Sequence, residues 1–203
     1  MEKLVLDNYT KAFLEENSKL NLVSKNDEKL LFEKHISDSL AIKNFFERYS
    51  VTEFTGKKLL DIGTGGGFPA VPIALEYPDL HVVAVDSIGK KIRSISNLKE
   101  KLGIKNLEPK CIRVEMLRDT KFDFITSRAV APLKTLVQYA FPLLKNDGFF
   151  IAYKSVKCDE EILEANKILK KYDAMVENLI SYDLPLSENH TRKLIIIKKK
   201  KFM

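Results

Sequence analysis

Leu59-Leu60-Asp61-Ile62 runs directly into Gly63-Thr64-Gly65-Gly66-Gly67-Phe68-Pro69-Ala70. This junction constrains the fold more than any other feature of the chain. A short apolar run bounded by turn residues predicts a buried strand, and the residues after the glycines predict a helix. Glycine has no Cβ and tolerates positive φ, so the intervening backbone can turn sharply and let a ligand touch it. The N–H groups at the start of the helix then point at that ligand, and the helix dipole favours a carboxylate or phosphate there. Asp61 stands at the strand end, two residues before the first glycine, where it can accept from an ammonium group or from loop N–H groups.

A ligand with an amino acid end and an adenosine end suits such a loop, and S-adenosylmethionine has both. Dinucleotides are the competing reading, because Gly65-x-Gly67-x-x-Ala70 fits a looser version of their fingerprint. Read from Gly63, however, the last glycine position of that fingerprint falls on Phe68, which is too bulky for close helix–strand packing. A purely structural turn is the third reading.

The rest of the chain alternates short apolar runs with helical periods, the pattern of a βαβ sheet. Strands are expected at Leu80–Val85, Leu107–Ile112, Phe122–Thr126, Phe149–Tyr153, Val176–Tyr182 and Leu194–Lys198. Helices are expected from about Phe68, at Gly89–Leu102, over the amphipathic stretch Leu133–Leu144 and at Glu160–Tyr172. Asp86 ends the second strand a little over twenty residues after Gly63, the interval at which an acid reaches ribose hydroxyls. It could equally cap the helix that follows. Arg128 follows the fourth strand, on the edge where open sheets bind ligands, although a structural ion pair would also account for it. Before the sheet, residues 2–20 read as one amphipathic helix and Glu28–Phe46 as a second, separated by the polar break Ser24–Asp27. In the second helix, His35 shares a stripe with Leu31, Ser39 and Ile42, so a satisfied core or rim histidine is the default reading. Residues 1–50 are thus expected to form an N-terminal helical extension and residues 51–203 the sheet, together one compact domain.

Composition excludes several classes. No uninterrupted apolar run approaches the ~20 residues needed to cross a bilayer, and the Met1-Glu2-Lys3-Leu4 start lacks the apolar core of a signal peptide. Cys111 and Cys158 are the only cysteines, which suits a reducing cytoplasm rather than a disulfide framework. His35, His81 and His190 have no partner at ligand spacing, and no metal site is expected. The net charge of +6 resides entirely in residues 192–203, which hold Arg192, Lys193 and Lys198–Lys201; elsewhere 28 basic residues face 28 acidic ones. A lysine run of this kind is more often a solvated tail than a binding site.

Taken together these residues resemble one family, the bacterial small-subunit ribosomal RNA methyltransferase G, also called glucose-inhibited division protein B. The similarity runs from about Leu20 to Lys199. It rests on Asn21-Leu22, His35-x-x-Asp38-Ser39-Leu40, Asp61-x-Gly63-x-Gly65-x-Gly67-Phe68-Pro69, Asp86-Ser87, Ser127-Arg128-Ala129-Val130-Ala131, Pro142-Leu143-Leu144 and Lys154. Ala70, where the family usually has glycine, and Ser155, where glycine often follows the lysine, depart from the pattern without removing a polar group.

The resemblance implies an α/β, Rossmann-like class I methyltransferase fold with helices on both faces of a seven-stranded, mostly parallel sheet whose last strand is antiparallel. It implies transfer of a methyl group from S-adenosylmethionine to N7 of a guanosine in 16S rRNA, in the decoding-region loop, by a cytoplasmic monomer. Asp61, Gly63, Gly65, Gly67, Phe68, Asp86, Val114, Glu115 and Arg128 are the expected cofactor-binding residues, with Val114 and Glu115 beside the adenine. Arg128, Lys154, His35 and Arg192 are the expected RNA contacts. N7 of guanine offers an in-plane lone pair and carries no proton, so no acid–base pair is nominated, and the rate depends mostly on collinear positioning. A methyltransferase for a small molecule or protein, or a non-catalytic RNA-binding factor of the same fold, are the alternatives, since fold alone does not choose among them.

Overall fold

The computed structural model describes residues 1–188 and 190–199. Seven strands form one sheet among them: β1 Lys58–Ile62, β2 His81–Asp86, β3 Leu107–Cys111, β4 Phe122–Arg128, β5 Leu144–Ser155, β6 Ala174–Leu184 and β7 His190–Lys199. Their spatial order is β3-β2-β1-β4-β5-β7-β6. Strands β1 to β5 pair in parallel, and β7 runs antiparallel to both β5 and β6. The expected seven-stranded, mostly parallel sheet is therefore present.

Side chains alternate between two apolar layers. Leu59, Val82, Ala84, Phe124, Ile151 and Ile196 enter one core; Leu60, Val83, Ile125, Phe150 and Ile197 enter the other. Burial on both faces is why these strands read as continuous apolar runs rather than as alternating ones. The first layer is roofed by α1 Lys3–Leu20, α5 Ala70–Glu76 and α6 Gly89–Leu102, the second by α7 Leu133–Ala140 and α8 Asp159–Lys171. Among the described residues no helix is long and apolar enough to cross a membrane.

The N-terminal extension shares the first core. Helix α1 buries Tyr9, Ala12, Phe13 and Glu16 at helical spacing. Burial works against the charge on Glu16, but hydrogen bonds from Asn97 and Lys101 of α6 and from Lys19 outweigh it and hold the carboxyl down to about 2. This ionised group fastens α1 across α6.

Three stretches differ from the sequence reading. The single helix expected at Glu28–Phe46 is instead broken into α2 Lys25–Glu28, a π-helical turn at Phe32–Ile36, α3 Ser37–Leu40 and α4 Ile42–Arg48. Ser24 does not interrupt a helix; its side chain accepts from the Asp27 N–H and caps α2. The π turn inserts an extra residue and so changes which side chains face inward; Ile36, Asp38 and Ser39 are all buried.

The second difference is that α5 begins at Ala70 rather than near Phe68. The Thr64 carbonyl accepts from both Gly67 and Phe68 N–H groups, forming a separate turn, and the Phe68–Pro69 peptide is cis. Third, the lysine run is partly strand. Lys198 lies over the Phe149 ring at 5.2 Å, and Lys199 Nζ donates to the carbonyls of Phe141 and Leu144. Strand geometry, not solvation, sets these two side chains; Lys200 and Lys201 lie outside the described residues.

Candidate active site

The C-terminal ends of the parallel strands share one edge, and the strand order reverses direction between β1 and β4, where open sheets form a ligand crevice. Ile62 pairs with Val85 on one side and Ser127 on the other, so the loops after β1, β2 and β4 leave the sheet side by side. With the segment after β3 and Tyr139 of α7 they line a cavity of about 360 Å³ whose walls include Gly63, Asp86, Ile112, Val114, Glu115 and Val130.

Gly63 holds φ at 69°, and a Cβ built there would lie 2.5 Å from a methyl of Val130. Glycine is thus required on both conformational and steric grounds. A Cβ on Gly67, at φ 96°, would instead meet Val71 of α5 at 2.7 Å, while Gly65 turns an open face outward and donates its N–H to Asp86 Oδ2 at 3.1 Å. Asp86 Oδ1 accepts from the Ile88 N–H at 2.9 Å, directly before α6. Asp86 thus braces the turn that leads into α6 and also lines the cavity. Each oxygen keeps a second lone pair for a hydroxyl donor.

These walls fit a nucleoside carrying a polar tail. Ile112 and Val114 offer apolar surface, Asp86 and Glu115 offer acceptors, and the glycine loop lets backbone approach closely.

Asp61, Gly65, Gly67 and Phe68 of the same motif are not among the residues lining this cavity. Asp61 is completely buried; Thr126 Oγ1 donates to its Oδ1 at 2.9 Å, and Oδ2 has no partner among the described residues. Burial pushes its carboxyl up to about 7 against the pull of the Thr64 and Thr126 hydroxyls and of Arg128. Phe68 turns toward the N-terminal extension, with its ring centroid 5.1 Å from that of Phe13 and 5.0 Å from that of His35. The guanidinium of Arg128 sits over the same ring at 5.3 Å.

A second cavity, about 440 Å³, lies on the other side of Ala129 and is lined by Lys34, His35, Asp38, Arg128, His190 and Arg192, among others. It assembles three expected RNA contacts that are far apart in sequence. Ala129 walls both cavities and holds a left-handed φ of 56°, unusual for a residue with a side chain.

The fourth expected RNA contact is elsewhere. Lys154 donates to Glu161 Oε2 at 2.6 Å and to the Ala131 carbonyl at 3.0 Å, with its side chain only 11% exposed. Lys154 is therefore not among the residues that line the cavity beyond Ala129. Its ammonium is occupied in bracing the segment after Arg128 against α8.

Arg128 is less free than a fork for guanine would be. Its NH1 donates to Asp38 Oδ2 at 2.9 Å and to the Lys34 carbonyl at 3.3 Å, and its NH2 reaches His35 Nδ1 at 2.9 Å. Of the five N–H groups of a guanidinium, two have no partner among the described residues. Asp38 and Tyr182 have no expected role in the sequence reading. Asp38 stands inside the His35-x-x-Asp38 motif, which is the signal that could have found it. Tyr182, whose hydroxyl donates to Asp38 Oδ1 at 2.6 Å, carries no local sequence mark.

Comparison with known proteins adds an independent line. The profile described as rRNA small subunit methyltransferase G matches residues 2–193. Proteins named ribosomal RNA small subunit methyltransferase G are similar throughout. That of Bacillus licheniformis is 35% identical over 198 residues, spanning 95% of this chain and 80% of its own. That of Bacillus subtilis is 33% identical over 196 residues, spanning 94% and 80%. Among solved structures, an S-adenosylmethionine-dependent O-methyltransferase from Thermotoga maritima superposes with TM-score 0.63 at 16% identity over 89% of this chain and 73% of that one. An rRNA methylase from Streptococcus thermophilus gives 0.54 at 19% identity over 75% and 91%. At such identities the structural likeness speaks for the fold.

Proposed function

The chain belongs to the rRNA small subunit methyltransferase G family, and from that premise we propose that it methylates N7 of a guanosine in 16S rRNA, with S-adenosylmethionine as donor. When bound, S-adenosylmethionine supplies a methyl group already activated on a sulfonium. The observation that carries this reading is the shared wall: Ala129 lines both the cavity beside Gly63 and Asp86 and the one that holds Arg128 and Arg192. A donor on one side and a base on the other would meet there.

In this reading Gly63, Gly65, Asp86, Val114 and Glu115 hold the donor. Asp86 would accept from ribose hydroxyls, and Val114 and Glu115 would lie beside the adenine. Asp61 and Gly67 shape the loop from behind, and Phe68 braces it against His35 and Arg128. Arg128 and Arg192 orient the guanine through its O6 acceptor, or hold a neighbouring phosphate.

No side chain has to remove a proton, since N7 carries none. What the residues do is place the nucleophile in line with the leaving sulfur and keep it there. The base must be unstacked or lie in a loop, because N7 is poorly accessible in the deep, narrow major groove of A-form RNA. A monomer acting in the cytoplasm on the small subunit or its RNA completes the reading.

The test is labelling of small-subunit rRNA with methyl-labelled donor, with mapping of the modified nucleotide afterwards. Replacing the mapped guanosine with 7-deazaguanosine should abolish labelling. Labelling that persists there would exclude N7 as the acceptor.

A further inference from the structure

Asp38 is 1% exposed, yet side chains from three strands converge on it. Arg128, at the end of β4, donates NH1 to its Oδ2 at 2.9 Å. Tyr182 of β6 donates to Oδ1 at 2.6 Å, and Arg192 Nε of β7 stands 3.5 Å from the same oxygen. Asp38 itself comes from α3, in the N-terminal extension. The Nε of Arg192 is buried and makes no hydrogen bond among the described residues, so its attraction to Asp38 is not closed into a fixed bond.

Two guanidinium groups facing one carboxylate leave one positive charge over. His35 does not change that count. Arg128 can only donate, so its contact with His35 Nδ1 makes that nitrogen the acceptor and leaves the imidazole neutral. Lys34 is paired with Asp27 at 2.8 Å. The surplus charge therefore belongs to the two arginines, and both line the cavity beyond Ala129. A buried ion pair is weak evidence for stability, since the desolvation of the charges rivals their attraction. What this one supplies is geometry, for the hydrogen bond fixes the direction in which Arg128 presents its remaining N–H groups, and the same carboxylate draws Arg192 toward the cavity without a fixed bond.

We propose that Asp38 is a positioning residue of the acceptor cavity, acting through Arg128 and Arg192 to aim them at an oxygen acceptor of the RNA, with Tyr182 holding its carboxylate in register. The inference rests on the reading of this cavity as the place where the RNA base enters. It extends that reading by assigning the aim of the two arginines to a residue from outside the sheet.

The experiment compares wild type, Asp38→Asn, Tyr182→Phe, Arg128→Ala and the Asp38→Asn/Arg128→Ala double variant in steady-state methylation of rRNA, with calorimetric donor binding alongside. Asp38→Asn should lower kcat/KM for RNA about ten- to a hundredfold, the size of a lost charge-assisted hydrogen bond. Donor affinity should stay within about twofold, because Asp38 lies outside the donor cavity. In the Arg128→Ala background the same change should cost much less, since one of the groups it aims is gone. Tyr182→Phe should lower kcat/KM in the same direction by a smaller factor, and it carries the test if Asp38→Asn does not fold.

Additive losses in the double variant, or donor binding that falls in step with melting temperature, would make Asp38 a merely structural residue and overturn the inference. So would Asp38→Asn or Tyr182→Phe at wild-type kcat/KM. If wild type itself fails to label rRNA, the functional reading falls, and that outcome is distinct from either of these.

Discussion

Arg128 NH2 lies 2.9 Å from His35 Nδ1, and because a guanidinium never accepts, the contact fixes the tautomer of the histidine. The proton of the neutral ring must be on Nε2, which is buried without a partner among the described residues. Burial, and after it the nearby Arg128 charge, lowers the His35 pKa to about 4. A second proton would turn the acceptor into a donor and break the contact with the arginine that faces the cavity.

The first prediction comes from that linkage. His35 binds its proton less readily in the folded state than in the unfolded chain, whose histidines titrate near 6.5. Between about pH 6.5 and 4 the unfolded state therefore holds more protons, and stability falls as pH drops through that window. His35→Asn should flatten part of this slope in urea unfolding measured from pH 7 to pH 4.5. An NMR titration of wild type should show the His35 ring neutral, with its one proton on Nε2, down to about pH 5.

Asp61 gives the opposite sign. Its folded pKa is raised to about 7 from the ordinary 3.8, so the folded state holds the extra proton and stability falls as pH rises from about 4 through 7. Asp61→Asn imitates the protonated side chain. It should raise the melting temperature at pH 8.5 while changing it little at pH 5. Donor affinity measured on the same samples at pH 8.5 reports whether the charge also serves the ligand, with a fall expected if it does.

Gly63→Ala should destabilise the fold by roughly 1–3 kcal/mol, the cost of a left-handed φ in a residue with a Cβ, and should sharply weaken donor binding. The side-chain clash is with Val130 alone among its nearest neighbours. Adding Val130→Ala should recover some stability but not the backbone part. Full recovery in the double variant, read by chemical denaturation, would show that φ is not the constraint.

Lys154→Ala should lower stability by about 1–2 kcal/mol, less than for a fully buried pair because Glu161 remains partly exposed. It should also lower methylation rate, because the Ala131 carbonyl loses its brace beside Arg128. The salt dependence of RNA binding should not change, since each lost phosphate contact reduces that slope by about one. A reduced slope would place Lys154 on the RNA surface.

Much of the architecture is readable before folding. The apolar runs around Leu59–Ile62, Val82–Val85 and Phe124–Ile125 become strands of a sheet buried on both faces. The helix expected at Gly89–Leu102 has those bounds in the structure, because Gly103 at φ 64° is a left-handed cap that sequence alone announces. The segment around His35 is not readable in this way. A π turn keeps the composition of a helix while shifting its register by one residue, so apolar periodicity places side chains on the wrong face after it.

The strand–glycine–helix junction, the acid after the second strand and the basic residues available to a site are all written in the linear chain. They are local properties of backbone freedom and side-chain type. Which charges are used up and which are left over is settled in three dimensions instead. Lys154 and Arg128 are both basic residues at strand ends, yet Lys154 meets Glu161 of α8, while Arg128 meets Asp38 and His35 and keeps two N–H groups over. Charge pairing acts over a few ångströms of space, and residues 38, 128, 182 and 192 become neighbours only when the extension closes over the end of the sheet.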